Sequence, residues 1–455
     1  MGLGRLLFVL AVLVEAVLAY PAASQERAAQ DSLTLKDCVE IALRNNSDII
    51  NARYNVDISD VSLQSSKGAL LPSISTNYGA NKAITGPRAT GQIIDPATGQ
   101  LISATGQSQV SGSQGVGASL DMPIYNANLL STIAANRAGL RVTEQTLQNT
   151  RVTTINTVKR QFFQVLQAEK LLDLNKESVR VSEESFRRAQ TMYEIGSAPV
   201  SDVLTARSNL ETRKVTVITQ QNAVDIARSN LAFTLGLDVN QPIRLKEGAF
   251  TVQPIGMTYE QALGNALDHR PNLKAQKFTL EQNQRQLEGA RSSIRRPIVA
   301  MSAGYGWNTQ NAPFRGIEDL FLQNYNYTFG VSVRMPIFNG MTSENTIRQR
   351  KLQYTQLVEQ LRRIERQVAL EVKQSLLNLD RSRQQIDAQN EAVKAAEEDF
   401  RLAEERYNFG AGTILERLQA QERLFAAKNN YINATYGYQQ ELANLEAALG
   451  GPEGE

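Results

Sequence analysis

Two stretches of this chain carry apolar or aromatic residues at every seventh position, over lengths that a globular core of ordinary size does not need. In the first, Val158, Val165, Leu172, Val179, Phe186 and Tyr193 keep that spacing. The surrounding run, from about Asn126 to Tyr193, holds no proline and a single glycine, Gly139. Its Ala, Leu, Arg, Lys, Gln and Glu residues are good helix formers. Roughly 65 residues at about 1.5 Å each make a rod about 100 Å long. A seven-residue repeat wants partner helices along its whole length. In the second stretch, Leu379, Ile386, Val393, Phe400 and Tyr407 repeat the spacing. Tyr407 lies 214 positions after Tyr193, and Leu379 lies 214 after Val165. The chain therefore holds two versions of one unit.

Within each version the order is helix, two strands, long helix, return helix. The expected divisions are a first repeat at 24–236, with a β-hairpin at 72–125 and a helical hairpin at 126–236, and a second at 257–450, with a β-hairpin at 297–338 and a helical hairpin at 339–450. A linker at 237–256, with Pro242 and Pro254, joins them, and a short tail covers 451–455. Leu33 to about Leu71 reads as one helix, capped by Thr34 and ended by Pro72. Ile74, Thr76, Tyr78 and Ala80 then alternate with Ser73, Ser75, Asn77 and Gly79, the period of a half-buried strand. Val116, Ala118, Leu120 and Met122 mark the second strand. Val299, Met301, Ala303, Tyr305 and Trp307 mark the third, and Tyr325, Tyr327, Phe329, Val331, Val333 and Met335 the fourth. Between the first two, the Gly-, Ser- and Thr-rich segment from Thr85 to Gly112 reads as a long exposed loop. Ile195-Gly196-Ser197-Ala198-Pro199 is a turn, with glycine suited to the left-handed position and proline to a helix start. Gly410-Ala411-Gly412 is its counterpart.

Composition excludes several classes. The formal net charge is +2, which favours no nucleic acid. One cysteine, Cys38, allows no intramolecular disulfide, and one histidine, His269, lacks the partners of a metal or catalytic site. No motif pairs a nucleophile with a base and no phosphate loop is present, so no enzyme and no cofactor is expected. Residues 1–23 read as a secretory signal, with Arg5 before an apolar run from Leu6 to Ala19. For an exported chain, alternating strands with small polar residues on one face and aromatics near their ends read as membrane β-strands. Four strands cannot close a barrel, and lipid tolerates no open edge, so several copies must pool their strands. Two copies give about eight strands and a filled interior, and three give about twelve and a channel. The fold class is thus mainly α with membrane β, internally duplicated.

This layout resembles the outer-membrane efflux protein family of TolC-like channels. The resemblance rests on the paired strand exits, Met122-Pro123-Ile124-Tyr125-Asn126 and Met335-Pro336-Ile337-Phe338-Asn339-Gly340, and on the paired tips, Tyr193-Glu194-Ile195-Gly196 and Tyr407-Asn408-Phe409-Gly410. It implies a homotrimer in the outer membrane, with a twelve-stranded β-barrel continued by a periplasmic α-barrel. It implies an exit duct for a tripartite efflux or type I secretion system, working with a periplasmic adaptor protein and an inner-membrane transporter. A non-conducting coiled-coil envelope scaffold is the rival reading. The resemblance also implies a periplasmic gate at Asp202, Tyr407, Glu416 and Gln419. Glu416 matches a family acid, while Gln419 stands where a second acid is usual and Gly412 where an arginine is usual. Adaptor docking falls to Gly196, Ser197, Gly410, Ala411 and Gly412. The residues alone also fit structural roles. Thr413 to Glu416 suits a capping box, and Asp202 suits the first turn of a helix.

Overall fold

The computed structural model describes residues 32–87, 89–105, 109–248, 256–310 and 325–451. The expected signal segment, residues 249–255 of the linker, most of the second strand-to-strand loop and the last four residues of the tail lie outside the described residues.

The expected first helix is two helices, α1 (Leu35–Asn45) and α2 (Ser47–Gly68). Asn46 breaks them by taking an extended conformation. Its Oδ1 accepts from the backbone amides of Asp48, at 2.9 Å, and Ile49, at 3.3 Å, which starts α2 as an N-cap. The second repeat breaks at the same place by other means. There α5 (Tyr259–His269) and α6 (Pro271–Arg295) meet at Arg270, held extended by the proline that follows it. Thr34 and Thr258 start α1 and α5, each with a reciprocal capping box.

The strands of the first repeat are β1 (Ser73–Thr85), β2 (Ala89–Ile94), β3 (Leu101–Thr105) and β4 (Gln109–Tyr125). The segment expected as a bare loop is therefore largely paired. It extends β1 and β4 and adds a small β2–β3 hairpin turned at Gly99, whose φ is +66°. The glycines and the proline of the segment hid this, because they break its apolar residues, Ile93, Ile94, Leu101 and Ile102, into pieces too short to read as strands. The long hairpin helices are α3 (Ala127–Glu194) and α4 (Val200–Leu235). The second repeat supplies β5 (Ile298–Gln310), β6 (Tyr325–Arg334), α7 (Thr342–Asn408) and α8 (Ile414–Leu449). None of the described helices is apolar enough over sufficient length to cross a membrane.

Packing divides the chain into two compact units, and each draws on both repeats. The first unit comprises 1–53, 147–271 and 365–455, and the second comprises 54–146 and 272–364. In the first, Cys38 and Ala42 of α1 pack with Val158, Phe162, Phe163, Val165 and Leu166 of α3, Leu231 and Leu235 of α4, and Tyr436 of α8. Burial pushes the Cys38 thiol up to about 12, so it behaves as a small apolar side chain. Leu379, Ile386, Tyr438 and Leu445 make a second cluster, which joins α7 to α8. The start of the chain is tied to the linker by Leu33 N–H to Arg244 O and Lys246 N–H to Leu33 O, both at 2.9 Å. The heptad stripe holds its place only in part. Val158, Val165 and Leu172 are buried, but Tyr193 is half exposed, and the buried face has moved to Ser178, Ser182, Ser185 and Ala189. A straight helix drifts by about 20° per heptad, so a strict seven-residue count overshoots along a run this long.

The second unit carries an antiparallel sheet in the order β1-β4-β5-β6. Its register puts Tyr78, Val116, Trp307 and Tyr325 in one row and Ile74, Leu120, Ala303 and Phe329 in another, all on one face. Asn77, Gly117, Gly306 and Asn326 form a row on the other face. The glycines there make room for the neighbouring asparagine side chains, which would have to swing aside for a larger residue. A methyl on Gly117 or Gly306 would lie 2.6 Å from the Asn77 or Asn326 amide oxygen. The outer edges of β1 and β6 pair with no other strand among the described residues. Every described position of β6 is exposed, including Phe329 at 83% and Val331 at 65%.

Candidate functional site

The two turns that end α3 and α7 have the same backbone. Gly196 (φ +77°) and Gly410 (φ +71°) sit in the left-handed region, where glycine costs nothing. Gly196 N–H donates to Tyr193 O at 2.9 Å and Ser197 N–H to Met192 O at 2.8 Å. Gly410 N–H donates to Tyr407 O at 3.1 Å and Ala411 N–H to Arg406 O at 2.8 Å. These are paired Schellman closures, which satisfy the last helix carbonyls and reverse the chain within a few residues. Ile195 and Phe409, just before the glycines, stand 74% and 86% exposed. Sequence reasoning passed over this apolar pair, although their matching places before glycine were visible.

The gate candidates fall around the second turn. Tyr407 of α7 packs with Phe186, Ala189, Ala206, Ile414 and Leu418, and its hydroxyl donates to the Met192 sulfur at 3.6 Å. Burial raises the Tyr407 phenol above its ordinary value, and the Asp202 carboxylate adds to the effect, opposed by Arg417 and Arg188. The structure thus brings Tyr407 and Asp202 into one electrostatic neighbourhood. Glu416 is exposed. Its backbone amide is capped by Thr413 Oγ1 at 3.2 Å, one of the two bonds of a capping box, and its carboxylate lies 3.8 Å from Arg406 Nη2. Both partners are more than half exposed, so this pair contributes little to stability. Gln419 is exposed on α8.

Gly412 stands where the family arginine was expected, and a side chain there would be tightly placed. A methyl there would meet Arg406 Cβ at 3.2 Å and both Tyr407 N and Glu416 Oε2 at 3.3 Å. The cation beside Tyr407 comes instead from Arg417, whose guanidinium carbon lies 5.9 Å from the ring centroid. Arg417 is 3% exposed. Sequence reasoning missed it, although the signal was present. Counting back seven from Leu424, in the series Leu424, Tyr431, Tyr438, Leu445, lands on Arg417, a charge at a core position.

Elsewhere the described residues hold no cluster of His, Cys, Asp and Glu suited to a metal. His269 is exposed, with Nδ1 3.0 Å from Asn265 O.

The chain is 24% identical over 428 residues to the probable efflux pump outer membrane protein TtgC of Pseudomonas putida, covering 92% of this chain and 83% of that one. It is 21% identical over 413 residues to the outer membrane protein TolC of Vibrio cholerae, covering 90% and 89%. In fold it matches the CmeC outer membrane channel of Campylobacter jejuni with a TM-score of 0.78 at 18% identity, over 92% of this chain and 85% of that one. The sequence profile described as "Outer membrane efflux protein" matches residues 38–237 and again residues 262–451. Each half is matched in turn, across the same elements that the duplication repeats, and the chain belongs to the outer membrane efflux protein family.

Proposed function

We propose that three copies of this chain form the exit duct of a tripartite pump, receiving substrate from a periplasmic adaptor and an inner-membrane transporter. As a TolC-type outer membrane efflux channel, the chain is not an enzyme. The observation that carries the finer reading is the sheet, with two unpaired edges, an exposed apolar face and a small polar face. Pairing β6 of one copy with β1 of the next removes every edge. Three copies supply about twelve strands, enough to leave a wet lumen. The tips, with Ser197 and Ala411 beside their glycines and Ile195 and Phe409 projecting, are the docking face for the adaptor. Efflux cargo is favoured over protein secretion by TtgC, named as an efflux pump component.

The test is whether the purified protein forms a heat-resistant oligomer that conducts in planar bilayers, and whether photo-crosslinkers at Ser197 and Ala411 capture a co-expressed adaptor. A non-conducting oligomer supports the scaffold reading instead. Crosslinks confined to the linker at 237–256 would place docking elsewhere.

Three copies of Glu416 ring the entrance in this reading and favour cations. Glu416→Ala is expected to lower cation preference measurably at low salt, and the effect should fade as salt screens it. Arg406 offsets part of the charge, so the shift is modest. Unchanged reversal potentials at low salt would remove Glu416 from the gate.

A further inference from the structure

The duplication supplies a template for a contact that one chain cannot make with itself. The hairpins β1–β4 and β5–β6 share one register. Asp121, just before the first Met-Pro exit, pairs with Ser73, and Arg334, just before the second, pairs with Ile298. Arg334 lies 213 positions after Asp121, and Ile298 lies 225 after Ser73. Residue for residue, β6 therefore answers to β4 and β5 to β1. A third pairing, β4 with β5, joins the hairpins. In it Leu120 faces Ala303, Asp121 faces Ser302 and, past an irregularity after Pro123, Tyr125 faces Val299. Carried over by the same offsets, this seam becomes β6 of one copy against β1 of another. It sets Val333 opposite the partner's Tyr78 on the apolar face and Arg334 opposite the partner's Asn77 on the polar face. A slip of one residue would set apolar against polar.

The two strand exits, nearly the same in sequence, differ in structure. β4 runs on through Met122 and Pro123 to Tyr125, where β5 pairs with it. α3 follows at once, with Asn126 Oδ1 accepting from the amides of Asn128, at 3.1 Å, and Leu129, at 3.2 Å. β6 stops at Arg334. Beyond it Ile337 is 96% exposed and Phe338 80%. Gly340 (φ +65°) and Met341 (φ +63°) are left-handed where Ala127 and Asn128 are helical, and α7 begins only at Thr342. Glycine accounts for the first of these, but nothing in methionine favours the second. Met341 is the one non-glycine residue with positive φ among the described residues, and it holds that backbone at a cost. What separates the two exits is the strand beside them: β5 lies along the first, and the second continues an open edge.

We infer that β6 of one copy and β1 of the next pair in the register of the β4–β5 seam, and that this pairing folds residues 335–338 onto the end of β6 and starts α7 directly after Asn339. Met335 then lies opposite the partner's Thr76 and Phe338 opposite the partner's Ile74, and Met341 passes into the first turn of α7. Assembly and the last folding step of this segment are one event. A subunit outside the ring carries an unfinished join between its last strand and its second long helix. The inference rests on the shared-barrel reading above.

The test is oxidative crosslinking of the full-length protein in outer-membrane fractions, with the parent, whose one thiol is the buried Cys38, as the background. Tyr78 and Val333 stand on the two edge strands of one four-stranded sheet, three strand spacings or about 14 Å apart. A disulfide does not span that distance, so a link between them joins two copies. Tyr78→Cys with Val333→Cys is expected to yield at least tenfold more covalent trimer than Val333→Cys with either Thr76→Cys or Ala80→Cys, the registers slipped by two. Ile74→Cys with Phe338→Cys is expected to link as well. Equal or stronger linking in a slipped pair overturns the register, yet leaves the shared barrel standing. A link at position 333 without one at 338 overturns the folding of the segment. Should Tyr78→Cys fail to assemble, Thr76→Cys with Met335→Cys reads the same register. No link between copies in any pair defeats the shared-barrel reading itself.

Discussion

Replacing Val331 with arginine is expected to abolish stable insertion of the assembled protein into the outer membrane. Val331 lies mid-strand in β6, 65% exposed, in register with Met301 on the apolar face. An arginine facing lipid near the midplane of a β-barrel costs roughly 2–4 kcal/mol. A threefold assembly carries that cost three times, enough to reduce the inserted population by several orders of magnitude. Ser332→Arg is the control. Ser332 is the next residue along, on the opposite face beside Ala300. A charge there meets water in the lumen, and the oligomer is expected to form. Outer-membrane fractionation and heat-resistant bands on gels read both variants. If the two behave alike, the assignment of faces is wrong.

The second large effect is expected at Gly236, which closes α4 with φ +70°. A Cβ at this position would sit 2.8 Å from the carbonyl carbon of Asn45 and 3.1 Å from its Cβ. That neighbour is backbone at the α1–α2 break, where the Asn46 side chain donates to Thr234 O at 2.9 Å, so it has little freedom to give way. Gly236→Ala combines left-handed strain, about 1–2 kcal/mol, with overpacking, about 1–3 kcal/mol. Gly196→Ala separates the two costs. Its φ is +77°, but nothing lies within 4 Å of an added methyl, so it bears the strain alone. Denaturation midpoints of the two variants are expected to differ by the packing cost. Equal midpoints would mean that the α4–α1 contact yields easily.

What could be read from the chain follows from what kind of constraint each feature obeys. The strand faces were legible residue by residue, because a period of two admits one register and a slip reverses every side chain. The tip glycines were legible for a similar reason, since a left-handed helix end names its residue. The break at Asn46 was harder to see. Its side chain does two jobs, one of them with α4, and a contact 188 positions away leaves no local mark. The β2–β3 ribbon was hidden because Gly91, Pro96 and Gly99 read as loop signals around its short apolar pieces, Ile93-Ile94 and Leu101-Ile102. Arg417 was concealed by the resemblance itself. The resemblance points to Glu416, Gln419 and Gly412, and the arginine one step along the helix from Glu416 falls between them. Continuing the count back one more heptad from Leu424 exposes a charge inside the core. The drift of α3 explains why the count alone could not show what faced it: by Ser178 the inward surface no longer lies on the sevenfold stripe.

The way the compact units are divided bears on how the polypeptide matures. Cys38 and Ala42, near the start of the described chain, are covered partly by Tyr436 of α8, close to its end. The first unit gathers three separate stretches, and the last of them begins only at position 365. Neither half of the duplicated sequence, expressed alone, contains a complete unit. During export, roughly four-fifths of the chain emerges before its final partner segment follows, which leaves apolar helix faces uncovered while they wait. Such long-range closure is slow and prone to aggregation. C-terminal truncation before α8 removes Tyr436 and the rest of that last stretch from the first unit, and is expected to disable the whole molecule.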